Sequence, residues 1–385
     1  MAFGKKNVLS TSPLDYNLGL LGLSGIGKTT TIKEYCEILA PEDGGYLFAE
    51  CGKESGADAI NGINYVNCPD WNSDYDEINN AVGFKTLVDD ILANKEEDYP
   101  NLRVLVVDTY DQLKDIADKE TIRIYNREQA QKPNGKKVDS IKAAFGGFMA
   151  GDDYADDMVL DILWSLSKVG VKFIIIGHSK LRDVIDPVTE VGYTQVTTDM
   201  STRSFNKIKT KLDVLGVAVI DREIVETQKK KKGNKEVEVG TVVGEARKIV
   251  FRDDNYTIDS KSRFANIKTQ IPLNGQALVD AITEAIKLEV ESKGGSLTEA
   301  KKETAKLEKA KAKVEKENAK AMKESKAKSD RNEELKAEIQ EKFAQADTDT
   351  KNKVKAVMSE HSIANFKDVS GIDTEILEEI VNILS

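Results

Sequence analysis

Gly22, Gly27, Lys28 and Thr29, in the run Gly22-Leu23-Ser24-Gly25-Ile26-Gly27-Lys28-Thr29, stand at the spacing of a loop that wraps phosphate. Glycines let successive backbone N–H groups turn inward on phosphate oxygens, and a helix just after the loop adds the positive end of its dipole. Lys28 would reach the β and γ phosphates, and Thr29 would hold Mg²⁺ through its hydroxyl. The flanks fit: an apolar run, Leu18 to Leu21, precedes the loop, and Thr30 to Leu39 is helix-like. An accidental glycine turn explains neither the lysine nor this setting. The nucleotide site is therefore read as Gly22 through Thr30, and its ligand as a nucleoside triphosphate with Mg²⁺.

A second acidic group is needed to order the metal. Asp108 ends the apolar strand Val104 to Val107 and fits that role, although a strand-terminal Asp by itself also serves as an ordinary helix N-cap. Thr109 could join the site or simply cap the next helix. Hydrolysis further requires a group that orients or deprotonates water. Glu50, at the tip of the apolar run Tyr46 to Ala49, is the first candidate and Glu54 the second; each could equally be a surface acid. His178 comes after Ile174-Ile175-Ile176-Gly177, where an open α/β sheet places its ligand crevice, so it could sense the γ-phosphate or satisfy a nearby carbonyl. Lys261 and Arg263 could reach the nucleotide of a neighbouring subunit, or stay solvated. Lys229, Lys230, Lys231, Lys232 and Lys235 form the densest positive point in the chain, in the turn after Glu226, and are the candidate DNA contacts.

Alternating strand-like and helical segments must hold these residues. Leu18 to Leu21, Tyr46 to Ala49, Val104 to Val107 and Lys172 to Ile176 read as parallel strands joined by crossover helices, one of them Asp156 to Lys168. Their near-continuous apolar composition suits strands covered on both faces. Tyr125 to Asp153 reads mainly as mobile loop. Val217 to Val225, Val237 to Val243, Lys248 to Arg252 and Tyr256 to Ile258 read as short strands of an antiparallel extension. The expected fold is thus α/β: a central, mainly parallel sheet, an antiparallel extension and a charged helical C-terminal tail.

Three stretches divide the chain: a core over residues 1–295, a charged helical linker or coiled coil over 296–345, and a small helical module over 346–385. Their net charges are −9, +3 and −4, within a total of −10. An acidic core disfavours indiscriminate binding to DNA, so any such contact must be local. Cys36, Cys51 and Cys68 form no close pair, and His178 and His361 are the only histidines, which gives a zinc site little support. No apolar stretch is long enough to span a bilayer, and Met-Ala-Phe-Gly-Lys-Lys lacks a signal's apolar region. The expected compartment is the cytoplasm.

The phosphate loop, Val-Leu-Val-Val-Asp108, Ala143-Ala144-Phe145-Gly146-Gly147-Phe148, Ile-Ile-Ile-Gly-His178 and Asp259-Ser-Lys-Ser-Arg263, in that order over about residues 14–272, resemble the phage-encoded RecA-like AAA family ATPases. That group includes recombinases that promote single-strand annealing with a single-stranded-DNA-binding protein. The resemblance implies ATP, Mg²⁺, a homo-oligomeric ring or filament, action on single-stranded DNA and a bacterial host cytoplasm. In RecA-type NTPases the position of Glu50, on an edge strand next to the phosphate loop, supplies the catalytic glutamate. The lysine-rich hairpin and the charged tail lie outside the family's core pattern. A nucleotide-gated adaptor, a helicase-loader or packaging motor, and a small-molecule kinase remain open alternatives, because phosphate loops serve all of them.

Overall fold

Val104-Leu105-Val106-Val107 carries no polar alternation, so a strand made from it is stable only with apolar cover on both faces. The computed structural model provides that cover. It describes the chain except residues 1–8, 54–55, 187–188, 233–234, 252–257, 293, 362, 364, 367–368 and 370–371, and except the side chains of 223–242. In order the chain forms β1 (Leu18–Gly22), α1 (Lys28–Leu39), β2 (Tyr46–Cys51), β3 (Tyr65–Cys68), α2 (Phe84–Asn94), β4 (Val104–Asp108), α3 (Tyr110–Gln129) and α4 (Ala150–Ser165). Next come β5 (Lys172–Ile185), β6 (Gly192–Thr198), α5 (Thr202–Lys209), β7 (Val214–Lys232), β8 (Lys235–Val250), β9 (Lys261–Ser262), β10 (Gln270–Pro272), α6 (Gly275–Ser292), α7 (Leu297–Gln345), α8 (Thr348–Glu360) and α9 (Thr374–Leu384).

The main sheet runs β3-β2-β4-β5-β1-β7-β8-β10. All pairs from β3 through β7 are parallel, whereas β7–β8 and β8–β10 are antiparallel. The expected architecture is therefore present. Every residue of β1, β2 and β4 is buried, in agreement with two covered faces. One face packs Leu105, Val107, Phe173 and Ile175 against Phe84, Val88, Leu113 and Val159 of α2, α3 and α4. The other packs Leu20, Phe48, Val106 and Ile174 against Ile32 and Tyr35 of α1 and Leu278, Ile282 and Ile286 of α6.

Several expectations are corrected. β2 is not the edge strand and does not adjoin β1: β3 lies outside it, and both β4 and β5 stand between it and β1. β3 carries a weak sequence signal because Tyr65-Val66-Asn67-Cys68 is short and only alternately buried. The segment 125–153 is loop only in part: α3 continues to Gln129, a 3₁₀ turn occupies Ile141–Gly146 and α4 begins at Ala150, while 130–140 is turn and irregular chain. Three expected short strands merge into one long hairpin of β7 and β8, and only residues 233–234 separate its arms. Lys229 to Lys232 are accordingly strand residues of β7 facing Glu238, Val237, Glu236 and Lys235, rather than a turn; their side chains lie outside the described residues, as does most of Tyr256 to Ile258.

α7 is one continuous helix docked on the core. Ala319 is buried against the α2 side, the Asn318 amide donates to Lys168 O at 2.9 Å, and Lys323 and Lys326 pair with Glu97 (2.5 Å) and Asp90 (3.2 Å). Its far end joins α8 and α9 in a separate apolar cluster of Leu335, Ile339, Val354, Leu377 and Ile380. Asn332, fully buried there, donates to Val369 O (3.0 Å) and Ile372 O (2.9 Å) and accepts from Thr374 Oγ1 (2.7 Å). Among the described residues no helix is long and apolar enough to cross a membrane.

Candidate functional site

Between β1 and α1 the chain reverses through Gly25 (φ 72°) and Gly27 (φ 113°), left-handed conformations that glycine adopts without steric cost. Gly27 is the N-cap of α1, so the first N–H groups of the helix, with no carbonyl one turn back, face the loop's interior. Lys28 is buried, and its ammonium folds back over the loop to donate to Gly22 O (3.1 Å) and Leu23 O (3.0 Å). A cation thus stands over a loop that leads directly into a helix N-terminus, a pairing that suits polyphosphate. Ser24 and Thr30, on the rim, are exposed.

The Thr29 hydroxyl donates to Asp108 Oδ2 at 2.7 Å, which brings the loop to the tip of β4 although β5 lies between their strands. Asp108 stands directly opposite Glu50 in the parallel register of β4 and β2, so the two carboxylates share one face of the sheet end. Both are buried, at 4% and 2% exposure. Glu50 Oε1 accepts the Ala57 N–H at 2.5 Å, which aims one carboxylate oxygen. The chain after β2 then passes over the site: a Cβ on Gly56 would stand 3.7 Å from Glu50 Oε1 and 3.8 Å from Thr29 Oγ1. Hard oxygen donors from Thr29 and Asp108 are the chemistry Mg²⁺ takes, usually with several of its waters retained. Glu54 lies outside the described residues.

His178 pairs with Gly22 in the register of β5 and β1, which sets it beside the start of the loop. Its Nδ1 lies 2.8 Å from Asp111 Oδ2, and its backbone N–H donates to Asp111 Oδ1 at 3.1 Å. Asp111, in the first turn of α3, has no distinguishing signal in the sequence because an acid there is ordinary. Burial alone would raise its pKa, yet the hydrogen bonds and charge of His178 hold it below the usual carboxylate value. A depressed folded-state pKa gives stability that is present above the unfolded value and lost as pH falls through the folded one. The difference in urea midpoint between wild type and Asp111→Asn is therefore expected to shrink as pH falls below about 4. A difference unchanged down to pH 2 would refute that linkage.

Cys51, just past Glu50, reports how closely the acids converge. Burial, then Cys68, then Asp108, Asp111 and Glu50 push its thiol well above the ordinary value, so it stays protonated and is a poor nucleophile.

Lys261 and Arg263 are not brought to this site within the chain. β9 pairs with the start of β7, which lies opposite Leu18, the end of β1 away from the loop. Lys261 Nζ donates to the carbonyls of Lys209 (2.8 Å), Thr210 (3.2 Å) and Leu212 (2.7 Å), closing the end of α5. Burial and the nearby Arg263 lower its pKa. Arg263 is half exposed, with Nε 3.1 Å from Asp213 Oδ1. A residue missed in the sequence does reach the loop: Arg247 of β8 donates to Ile26 O at 3.0 Å. Its 221-residue separation from Ile26 leaves no local sequence signal.

No curated protein matches the chain. A family model described as AAA domain matches residues 15–264, a span that holds the loop, Glu50, Asp108 and His178 alike. A backbone cradle with its lysine, tied through a threonine hydroxyl to a strand-terminal aspartate, is what that match leads one to look for, and the chain belongs to the AAA domain family of phosphate-loop ATPases.

Proposed function

We propose that this protein is a RecA-like ATPase of the phage type, which assembles as a ring or filament on single-stranded DNA and supports recombination, strand annealing or replication. The observation that carries the reading is the placement of Glu50 directly beside Asp108 on neighbouring strands, under the Gly56 segment and next to Thr29. A carboxylate so close to the loop threonine and to Asp108 supports a role in orienting or deprotonating the attacking water.

In this reading the Gly22–Thr30 amides bind the phosphates of ATP, and Lys28 leaves its two carbonyls to bridge the β and γ groups. Thr29 and Asp108 hold Mg²⁺, which when bound neutralises phosphate charge. Glu50, steadied by the Ala57 N–H, takes the proton of the attacking water. His178, steadied by Asp111 and beside the start of the loop, is assigned the role of sensing the γ-phosphate. Of the two cations proposed to act on a neighbour's nucleotide, Arg263 is the more exposed, although it pairs with Asp213 and donates to Thr210 O, whereas Lys261 is engaged by three carbonyls.

The β7–β8 hairpin runs far past the end of β1 and carries Lys229 to Lys232 and Lys235 at its distal end, a compact place for DNA phosphates. ATP turnover with and without single-stranded DNA tests the whole reading: stimulation is expected, and no stimulation would favour the adaptor alternative. Replacing Lys229 to Lys232 by Ala should flatten the salt dependence of single-strand binding, by up to about 3 in log–log slope if all four touch phosphate. Unchanged binding would remove the hairpin from the DNA contact.

A further inference from the structure

The long hairpin touches the phosphate loop through Arg247. This residue lies opposite Ile220 in the β7–β8 register, near the hairpin's base, and sends Nη1 to the carbonyl of Ile26. Immediately beside that contact, Leu273 donates its N–H to Arg247 O at 3.1 Å and puts a methyl 3.7 Å from where a Cβ on Gly27 would stand. The chain leaving β10 is fastened in turn to α1, where Gly275 N–H donates to Glu34 Oε2 at 2.8 Å. The outer side of the loop is therefore braced at two successive residues, Ile26 and Gly27, by segments more than 200 residues away.

The peptide unit gives this brace its meaning. The carbonyl of Ile26 and the N–H of Gly27 belong to one planar group and point in opposite directions. A guanidinium that fixes the outward carbonyl also fixes the N–H that faces inward, and its charge polarises that N–H toward an anion. Gly27, at φ 113°, has no side chain to limit its motion, so without an outside partner this peptide plane is free to swing. Arg247 keeps half its surface exposed and has Glu245 3.6 Å from its Nε, so it can follow movements of the hairpin.

We infer that Arg247 is a positioning residue for the phosphate loop: it aims the Gly27 N–H into the cradle and couples loop occupancy to the β7–β8 hairpin. The inference rests on the nucleotide reading above. It is tested by titrating Mg·ATP and inorganic tripolyphosphate into wild type, Arg247→Ala and Arg247→Lys. Both ligands should bind Arg247→Ala about tenfold more weakly, the size of one charge-assisted hydrogen bond, and Arg247→Lys should recover most of the loss. Mg·ADP should also slow hydrogen exchange at the amides of Ile220, Arg247 and Leu273 in wild type and not in Arg247→Ala.

Unchanged affinity in Arg247→Ala overturns the inference. So does a loss confined to ATP, which would make Arg247 a contact for sugar or base instead of a brace for the loop. Failure of the lysine variant to rescue while its melting curve stays normal counts against it as well. If wild type binds neither ATP nor tripolyphosphate, the nucleotide reading itself fails and takes the inference with it.

Discussion

Lys28→Ala is expected to raise the dissociation constant for Mg·ATP by a hundredfold or more and to leave turnover at background. The ammonium can make at least two charge-assisted hydrogen bonds to the triphosphate, each contributing about 1.5–3 kcal/mol, and about 3 kcal/mol is already more than a hundredfold in affinity. The fold should survive the change. Lys28 is buried and donates to the carbonyls of Gly22 and Leu23, but Leu23 itself is exposed, so water can reach the gap beside it once the ammonium is removed. Calorimetric titration with Mg·ATP, paired with a thermal melt, separates the two effects. Wild-type heat from a folded Lys28→Ala protein would mean that ATP binds somewhere else.

Glu50→Gln should behave in the opposite way, with ATP still bound within a few-fold of wild type and turnover lowered by about 10²–10⁴. Glutamine keeps the shape of glutamate, and its amide oxygen can still accept the Ala57 N–H at the place of Oε1. It cannot take a proton from water. Single-turnover quench measurement of ATP cleavage, set beside phosphate release from the loaded protein, separates the chemical step from product release. A Glu50→Gln enzyme that releases phosphate at the wild-type rate would leave Glu50 a structural acid that anchors the Ala57 turn. Together the two variants divide binding from chemistry, which neither does alone.

The centre of the fold was legible because the rules that govern it are local. Gly22 to Thr29 has a fixed spacing, and the apolar runs ending at Ala49, Val107 and Ile176 announce strands whose tips must lie near one another in a parallel sheet. Pairing order was not legible. Nothing in Tyr46 to Cys51 says that β4 rather than β1 will be its neighbour, so the adjacency of Glu50 and Asp108 emerges only with the register. The same holds for Lys261, which reads as a solvated cation or one that reaches a neighbouring subunit but meets three carbonyls at the end of α5 once β9 pairs with β7. Arg247 is the extreme case: in sequence it is one charged residue among several on a strand, and only the sheet carries it to Ile26.

α7, at 49 residues and about 1.5 Å of rise per residue, is a rod of roughly 74 Å. The buried amide of Asn332 locks the start of α9 and the residues just before it to that rod, and Ala319 with the lysine pairs seats its middle on α2. Whatever pulls on the last helices consequently tugs on a long helix seated at the core's flank, so force arriving at the tip is delivered to the phosphate-loop domain as torque instead of being absorbed by a slack tether.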